Sequence, residues 1–228
     1  MAQLHESGQL DFDLHEEQRD PELSTSFLYS TTGGKMFGVL VCEDRNGDEV
    51  ILKAFSGKYN NRRTIAGWAP HLFDELLFNA VIEEGNSLIH PLTDRIASIE
   101  KGSGEWKELN EERKRISHHI LEKLYALYEV RNFNNEQRSL SEAFLYAKSI
   151  PTGTGDCCAP KLLSHAAIHG LKPLSLAEFF LGASSGTKTA GSFYPPCEDK
   201  CLPLLGFMLC HGTSADPSVA KSGTGSPG

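Results

Sequence analysis

The sequence predicts an α+β fold, a small β-sheet with flanking helices and an antiparallel helical hairpin inserted at about residues 74–130. Three observations predict it. Two β-rich runs, Met36–Cys42 and Val50–Phe55, flank Arg45-Asn46-Gly47-Asp48, and Asn-Gly supplies the positive φ angles of a tight hairpin turn. From Glu105 to Val130, Leu109, Ile116, Ile120, Leu124 and Leu127 recur at helical spacing and form one apolar stripe. Leu171–Leu181 reads as a further strand, apolar apart from Lys172, Ser175 and Glu178, after a helix that opens at Cys157.

Residues 1–24 carry seven acids against Arg19 alone, most of the net charge of −8. They are expected to form a disordered acidic arm, since they hold few large apolar side chains. An α+β domain is expected from 25 to 210, with a Ser/Gly/Pro-rich disordered tail at 211–228. Asp74 to about Lys101 reads as a helix interrupted near Gly85 and Pro91, with Leu76, Leu77, Val81 and Ile82 on one side. A Gly102-Ser-Gly104 turn joins it to the 105–130 helix, whose other faces mix acids and bases in the manner of a coiled coil or solvated surface. Ser139–Ser149 reads as a short helix, and Ser184–Gly191 as a flexible loop.

No apolar run reaches the roughly 20 residues that span a bilayer, so no membrane partner is expected. Met1-Ala-Gln-Leu-His lacks the apolar core of a signal peptide, and the expected setting is intracellular, reducing and cytoplasmic. Six cysteines in such a setting point to free thiols or metal rather than to a disulfide framework. The composition specifies no oligomeric state.

Five of those cysteines lie between Gly153 and Cys210. Asp156 is placed to cap a helix from about Cys157 to His169, closed by Gly170. Pro160 is tolerated in its first turn, and the helix dipole favours a thiolate at Cys157. Pro195-Pro-Cys197-Glu-Asp-Lys-Cys201 offers two more thiols, in the turn before a helix expected to start at Pro203. Cys157, Cys197 and Cys201 are therefore the expected ligands of a divided metal site, with zinc the default ion for thiolate donors. The fourth ligand is left among Cys158, His165, His169, His211 and water. His118 and His119, adjacent on a helix, point about 100° apart and are not counted. The alternative to a metal site is a set of buried thiols. Glu178 in its apolar strand would be a carboxylate with a raised pKa, usable as an acid or base, or else a cap on a neighbouring helix.

From Val50 to Phe73 the chain holds Lys53, Lys58, Arg62 and Arg63 with no acid, interleaved with Tyr59 and Trp68. Cations attract a phosphate backbone and aromatic faces take unpaired bases, so this stretch is the candidate RNA surface. Its other reading is a solvated loop anchored by a buried Trp68.

From Phe37 to Leu209 the chain resembles the N-terminal extension of some RluA-class RNA pseudouridine synthases. The likeness is carried by Ala54-Phe-Ser-Gly57, Gly67-Trp-Ala-Pro-His-Leu-Phe-Asp74, the charged helical hairpin, Gly155-Asp-Cys157 and Ala159-Pro-Lys-Leu-Leu163. It continues through Gly170-Leu-Lys-Pro173, Ala177-Glu-Phe179, Phe193-Tyr-Pro-Pro-Cys197 and Lys200-Cys201 to Leu209. The resemblance implies a non-catalytic accessory module that recognises RNA or an RNA-modifying enzyme. That family's catalytic aspartate sits in a separate downstream domain, and no Arg-Leu-Asp-type motif follows Leu209 here. A second resemblance is architectural. Hairpin, Cys-opened helix, strand and a helix preceded by Pro-Cys-x(n)-Cys are similar to the zinc deaminase fold, which implies a hydrolase acting on a nucleobase. Those enzymes carry a Glu two residues after the first ligand. Here Ala159 and Pro160 follow Cys157 and Cys158 at that distance, so only Asp156 or Glu178 could relay the proton. A third reading is a protein-interaction scaffold built on the 105–130 helix.

Overall fold

The computed structural model describes residues 1–30, 33–145 and 149–209. It is a mixed α+β structure built on an antiparallel sheet. Strands β1 (Lys35–Glu43) and β2 (Glu49–Phe55) form the expected hairpin, with Asp44 accepting from the Asn46 and Asp48 N–H groups to close the turn. After the intervening helices come β5 (Lys172–Leu181) and β6 (Phe193–Tyr194), and the sheet order is β2-β1-β5-β6, every pair antiparallel. The strand read from Leu171 to Leu181 is thus found, while the two-residue β6 lay below the length at which alternation is legible.

The period-2 alternation of β1 sends its side chains to two buried faces. Leu40 and Cys42 join Ala54 of β2 in a core completed by helix α5 (Cys158–Ile168) and helix α6 (Leu202–Leu209). Phe37 joins Phe55, Tyr59, Trp68 and Phe179 in a second core on the opposite face. Gly38 shows how close the first layer lies: a Cβ there would come 2.6 Å from Cys158 Cβ.

The second core corrects the expected disordered arm. Residues 1–24 are folded as helix α1 (Ala2–Ser7) and short 3-10 turns, and Leu4, Leu10, Leu23 and Leu28 are buried against the aromatic face of the sheet. A few apolar residues suffice because the face they cover is already aromatic. The segment adds one layer to an existing core instead of building its own. The tail 211–228 and Cys210 lie outside the described residues.

Helix α2 (Glu75–Ser98) and helix α3 (Gly104–Ala126) form the helical hairpin. Asp74 accepts from the Leu76 and Leu77 N–H groups, and Ser103 from Trp106 N–H, as N-caps. Two details differ from the expected helix. It runs unbroken through Gly85 and Pro91, and Leu76 and Leu77 are exposed while Phe78 is buried. Gly85 is where the helices touch, since a Cβ there would lie 3.0 Å from Ile120 Cγ2. The α3 stripe is as expected, with Leu109, Ile120 and Leu124 buried and Ile116 and Leu127 half-buried. Arg95–Glu105 and Lys123–Glu84 pairs cross between the helices.

A small ladder of β3 (Val130–Arg131) and β4 (Gln137–Arg138), absent from the expectation, follows the hairpin. Helix α4 spans only Leu140–Ala143, opened by a capping box between Ser139 and Glu142; the longer helix expected to Ser149 ends there, with residues 146–148 outside the described set. Among the described residues no helix is long and apolar enough to cross a membrane.

Candidate metal centre

The centre forms where the sheet returns the chain to the start of α5. Cys157 is the N-cap residue of α5, in extended backbone just ahead of the helix. Strand β5 runs back along β1, β6 reverses again, and Pro195-Pro196 then carries Cys197 to the same end of the molecule. The Cys201 and Leu202 N–H groups donate to Cys197 O, closing a turn directly before α6. Lys200 ties this turn to the loop before α5 by donating to Thr152 O at 2.6 Å. Helix α6 begins at Leu202, one residue before the expected start at Pro203.

As a result the Sγ atoms of Cys157, Cys197 and Cys201 all lie within 4.8 Å of one another, and those of Cys197 and Cys201 are 3.4 Å apart. Cys201 is buried, Cys157 is half-buried and Cys197 faces solvent. Hydrogen bonding from Cys201 holds the Cys157 thiol below its ordinary pKa against the cost of burial, with smaller help from Cys197 and the Lys200 charge. The same coupling and burial push Cys201 up. One thiol is thus shifted toward easier ionisation with two others in ligating reach, a set that could hold a metal ion.

The other residues expected near the ion have different placements. Cys158, one residue on, faces the sheet: its thiol donates to Met36 O at 3.5 Å, is fully buried and is pushed up by burial. His165 and His169 meet edge to face with ring centroids 4.3 Å apart, and at the helical rise they lie about 12 Å and about 18 Å along the axis from Cys157. None of the three can be the fourth ligand to this cluster. His211 lies outside the described residues.

The two carboxylates have structural duties. Glu178 is paired in register with Gly38 and Tyr194 and reaches the first turn of α5, where Oε1 accepts from Ala159 N–H at 3.0 Å. Burial raises its pKa, and the Ala159 and Cys158 N–H groups oppose that rise. Glu178 therefore caps the helix, and Asp156, expected as the cap, does not. Asp156 accepts instead from Tyr128 Oη–H at 3.1 Å.

The expected RNA surface is largely dismantled. Tyr59 is fully buried and donates to Ser24 O; Trp68 is buried and donates from Nε1 to Leu10 O. Neither ring offers a face to a base. Arg62 pairs with Asp20 and Glu22 at 2.6 Å each, and Lys53 pairs with Asp13 while lying over the Phe12 ring. Arg63 stacks on Phe78, and only Lys58 of the set is exposed. The acids come from the arm, which is folded against this stretch and not disordered.

One further constellation has almost no local sequence signature. His71, Asp156, Tyr128 and Lys161 meet between the 70–74 segment and α5. Its one legible trace was a lysine inside the otherwise apolar run Ala159–Leu163. Compared with known proteins, the chain matches no family model, no curated protein and no solved structure.

Proposed function

We propose that the chain is a non-catalytic, zinc-binding accessory module linked to RNA modification. The observation that carries the reading is the convergence of Cys157, Cys197 and Cys201. Tetrahedral zinc with Zn–S bonds near 2.3 Å sets its sulfurs about 3.8 Å apart, compatible with three thiols all within 4.8 Å of one another. Thiolates are the donors that zinc prefers, and the ion would tie the loop before α5 to the turn before α6. His211 or water would complete the coordination.

The link to RNA modification rests on where the resembling motifs fall. Gly155-Asp-Cys157, Ala159–Leu163, Ala177-Glu-Phe179 and Pro195–Cys201 are the segments that build this end of the molecule. Burial of Tyr59 and Trp68, with Arg62 and Lys53 paired to the arm, favours an RNA-modifying enzyme as the partner over direct RNA contact through residues 53–68. A nucleobase hydrolase is less well supported, because Glu178 and Asp156 are engaged with Ala159 N–H and Tyr128.

Elemental analysis of purified protein tests the metal: about one zinc per chain is expected, falling to near zero in Cys197→Ser or Cys157→Ser, since tight binding needs all three thiolates. Equal metal content in the variants would remove the centre. Calorimetric titration with a pseudouridine synthase catalytic domain tests the link. Binding is expected to the zinc-loaded protein and to weaken after chelation; no binding in either state would sever it.

A further inference from the structure

Beyond the thiol cluster, a buried lysine and a buried histidine without a hydrogen-bond partner among the described residues line a cavity of about 300 Å³ between the 70–74 segment and α5. Lys161 lines it and is fully buried. Its Nζ donates to Phe55 O at 2.8 Å and lies 4.5 Å from the centre of the Phe55 ring. An ammonium has three donors, and a carbonyl and a ring face do not neutralise it. His71 lines the same cavity with a side chain only 4 % exposed, and neither of its ring nitrogens makes a hydrogen bond among the described residues. Nδ1 stands 3.6 Å from Asp156 Oδ1, too long for a bond. Buried polar groups in native proteins are nearly always satisfied, and an exception calls for an explanation such as strain, a chemical role, or a bound water, ion or ligand.

The surroundings indicate which chemistry would satisfy them. Burial holds the His71 pKa below the ordinary value, and the nearby positive charges of Lys161 and Arg63 add to this against the pull of Asp156. The acids nearby are largely engaged: Asp156 accepts from Tyr128, and Asp74 caps α2. Glu129 stands exposed at the rim. Ser164 sits one turn along α5 from Lys161 on the same wall, and Phe73 and Ile168 supply apolar surface. The volume is at the small end of the range for small-molecule sites, which suits a compact ligand rather than a polymer.

We propose that this cavity is a second site, which binds the phosphate or carboxylate group of a small molecule between Lys161 Nζ and the His71 ring. The ammonium gains an anionic partner, His71 gains a hydrogen-bond acceptor, and the remainder of the ligand lies against Phe73 and Ile168. The site is separate from the thiol cluster and does not depend on the metal reading. Zinc content measured on the same samples keeps the two tests distinct.

The test is an NMR titration of the histidine ring nitrogens of the full chain with inorganic phosphate and, separately, acetate, alongside the anion dependence of Tm. Saturable shifts of the His71 signals and a rise in Tm are expected. A response to phosphate alone assigns a phosphate ligand, to acetate alone a carboxylate ligand, and to both an oxyanion site that accepts either. Lys161→Met, which keeps the volume and removes the charge, should weaken the response by about tenfold or more, the scale of one charge-assisted hydrogen bond. No saturable His71 shift with either anion, or equal affinity in Lys161→Met, overturns the proposal. Should Lys161→Met fail to fold, His71→Phe replaces it with Tm as the readout, and a parental anion-dependent rise there is equally fatal.

Discussion

The start of α5 and the basic stretch from Val50 to Phe73 begin from the same kind of sequence signal and end differently. Each is a cluster of chemically apt side chains at suggestive spacing. At the start of α5 the cluster survives folding: Cys157, Cys197 and Cys201 arrive from separate segments and find one another. In the basic stretch the cluster is consumed, with Tyr59 and Trp68 in a core and Arg62 and Lys53 paired to acids of the arm. The difference lies in competing partners. Free thiols find few strong partners in a protein other than each other and a metal. Cations and amphipathic rings are readily taken up by any nearby acidic or apolar segment. Spacing is therefore better grounds for a thiolate site than for a nucleic-acid surface.

Three measurements press on this contrast. The largest effect is expected from Trp68→Ala, which empties a site lined by Phe12, Phe37 and Phe55 and strands Leu10 O. A loss of about 3–5 kcal/mol in urea denaturation is expected. A negligible loss would return the ring to the surface and revive the stacking role. Next is Gly38→Ala, which probes the thiol end. Its methyl would meet Cys158 Cβ at 2.6 Å and push the first turn of α5 off the sheet. Overpacking of this kind costs about 1–3 kcal/mol, and zinc affinity should fall with stability because Cys157 moves with that turn. Unchanged affinity would show that the sulfurs assemble independently of how α5 sits on β1.

The smallest effect concerns the arm. The Glu22 N–H and Arg62 hold the Asp20 carboxyl below its ordinary pKa of 3.8. Its contribution to docking is thus fully present above that value and is lost as the pH falls through the depressed one. Hydrogen exchange at Leu10 N–H, which donates to Leu23 O, should accelerate relative to β1 over that range, and less so in Asp20→Asn. Identical pH profiles in the two proteins would take Asp20 out of the docking.

Local pattern was enough for the β1–β2 turn, the α3 stripe, strand β5 and the choice of Cys157, Cys197 and Cys201, because each depends on a few neighbouring residues whose period or chemistry has one strong outcome. The folding of the arm was not legible, since Leu4, Leu10, Leu23 and Leu28 become a layer only when β1 and β2 present Phe37 and Phe55 to them. Pattern offered helix capping as one of two roles for Glu178 without choosing between them, and the placing of His71 and Lys161 on one cavity was hidden for the same reason. Each joins segments far apart along the chain, and which of them meet is settled by how β1, β5 and α5 stack. Side-chain pattern reports the periodicity of an element, whereas burial and pairing depend on what another element brings to it.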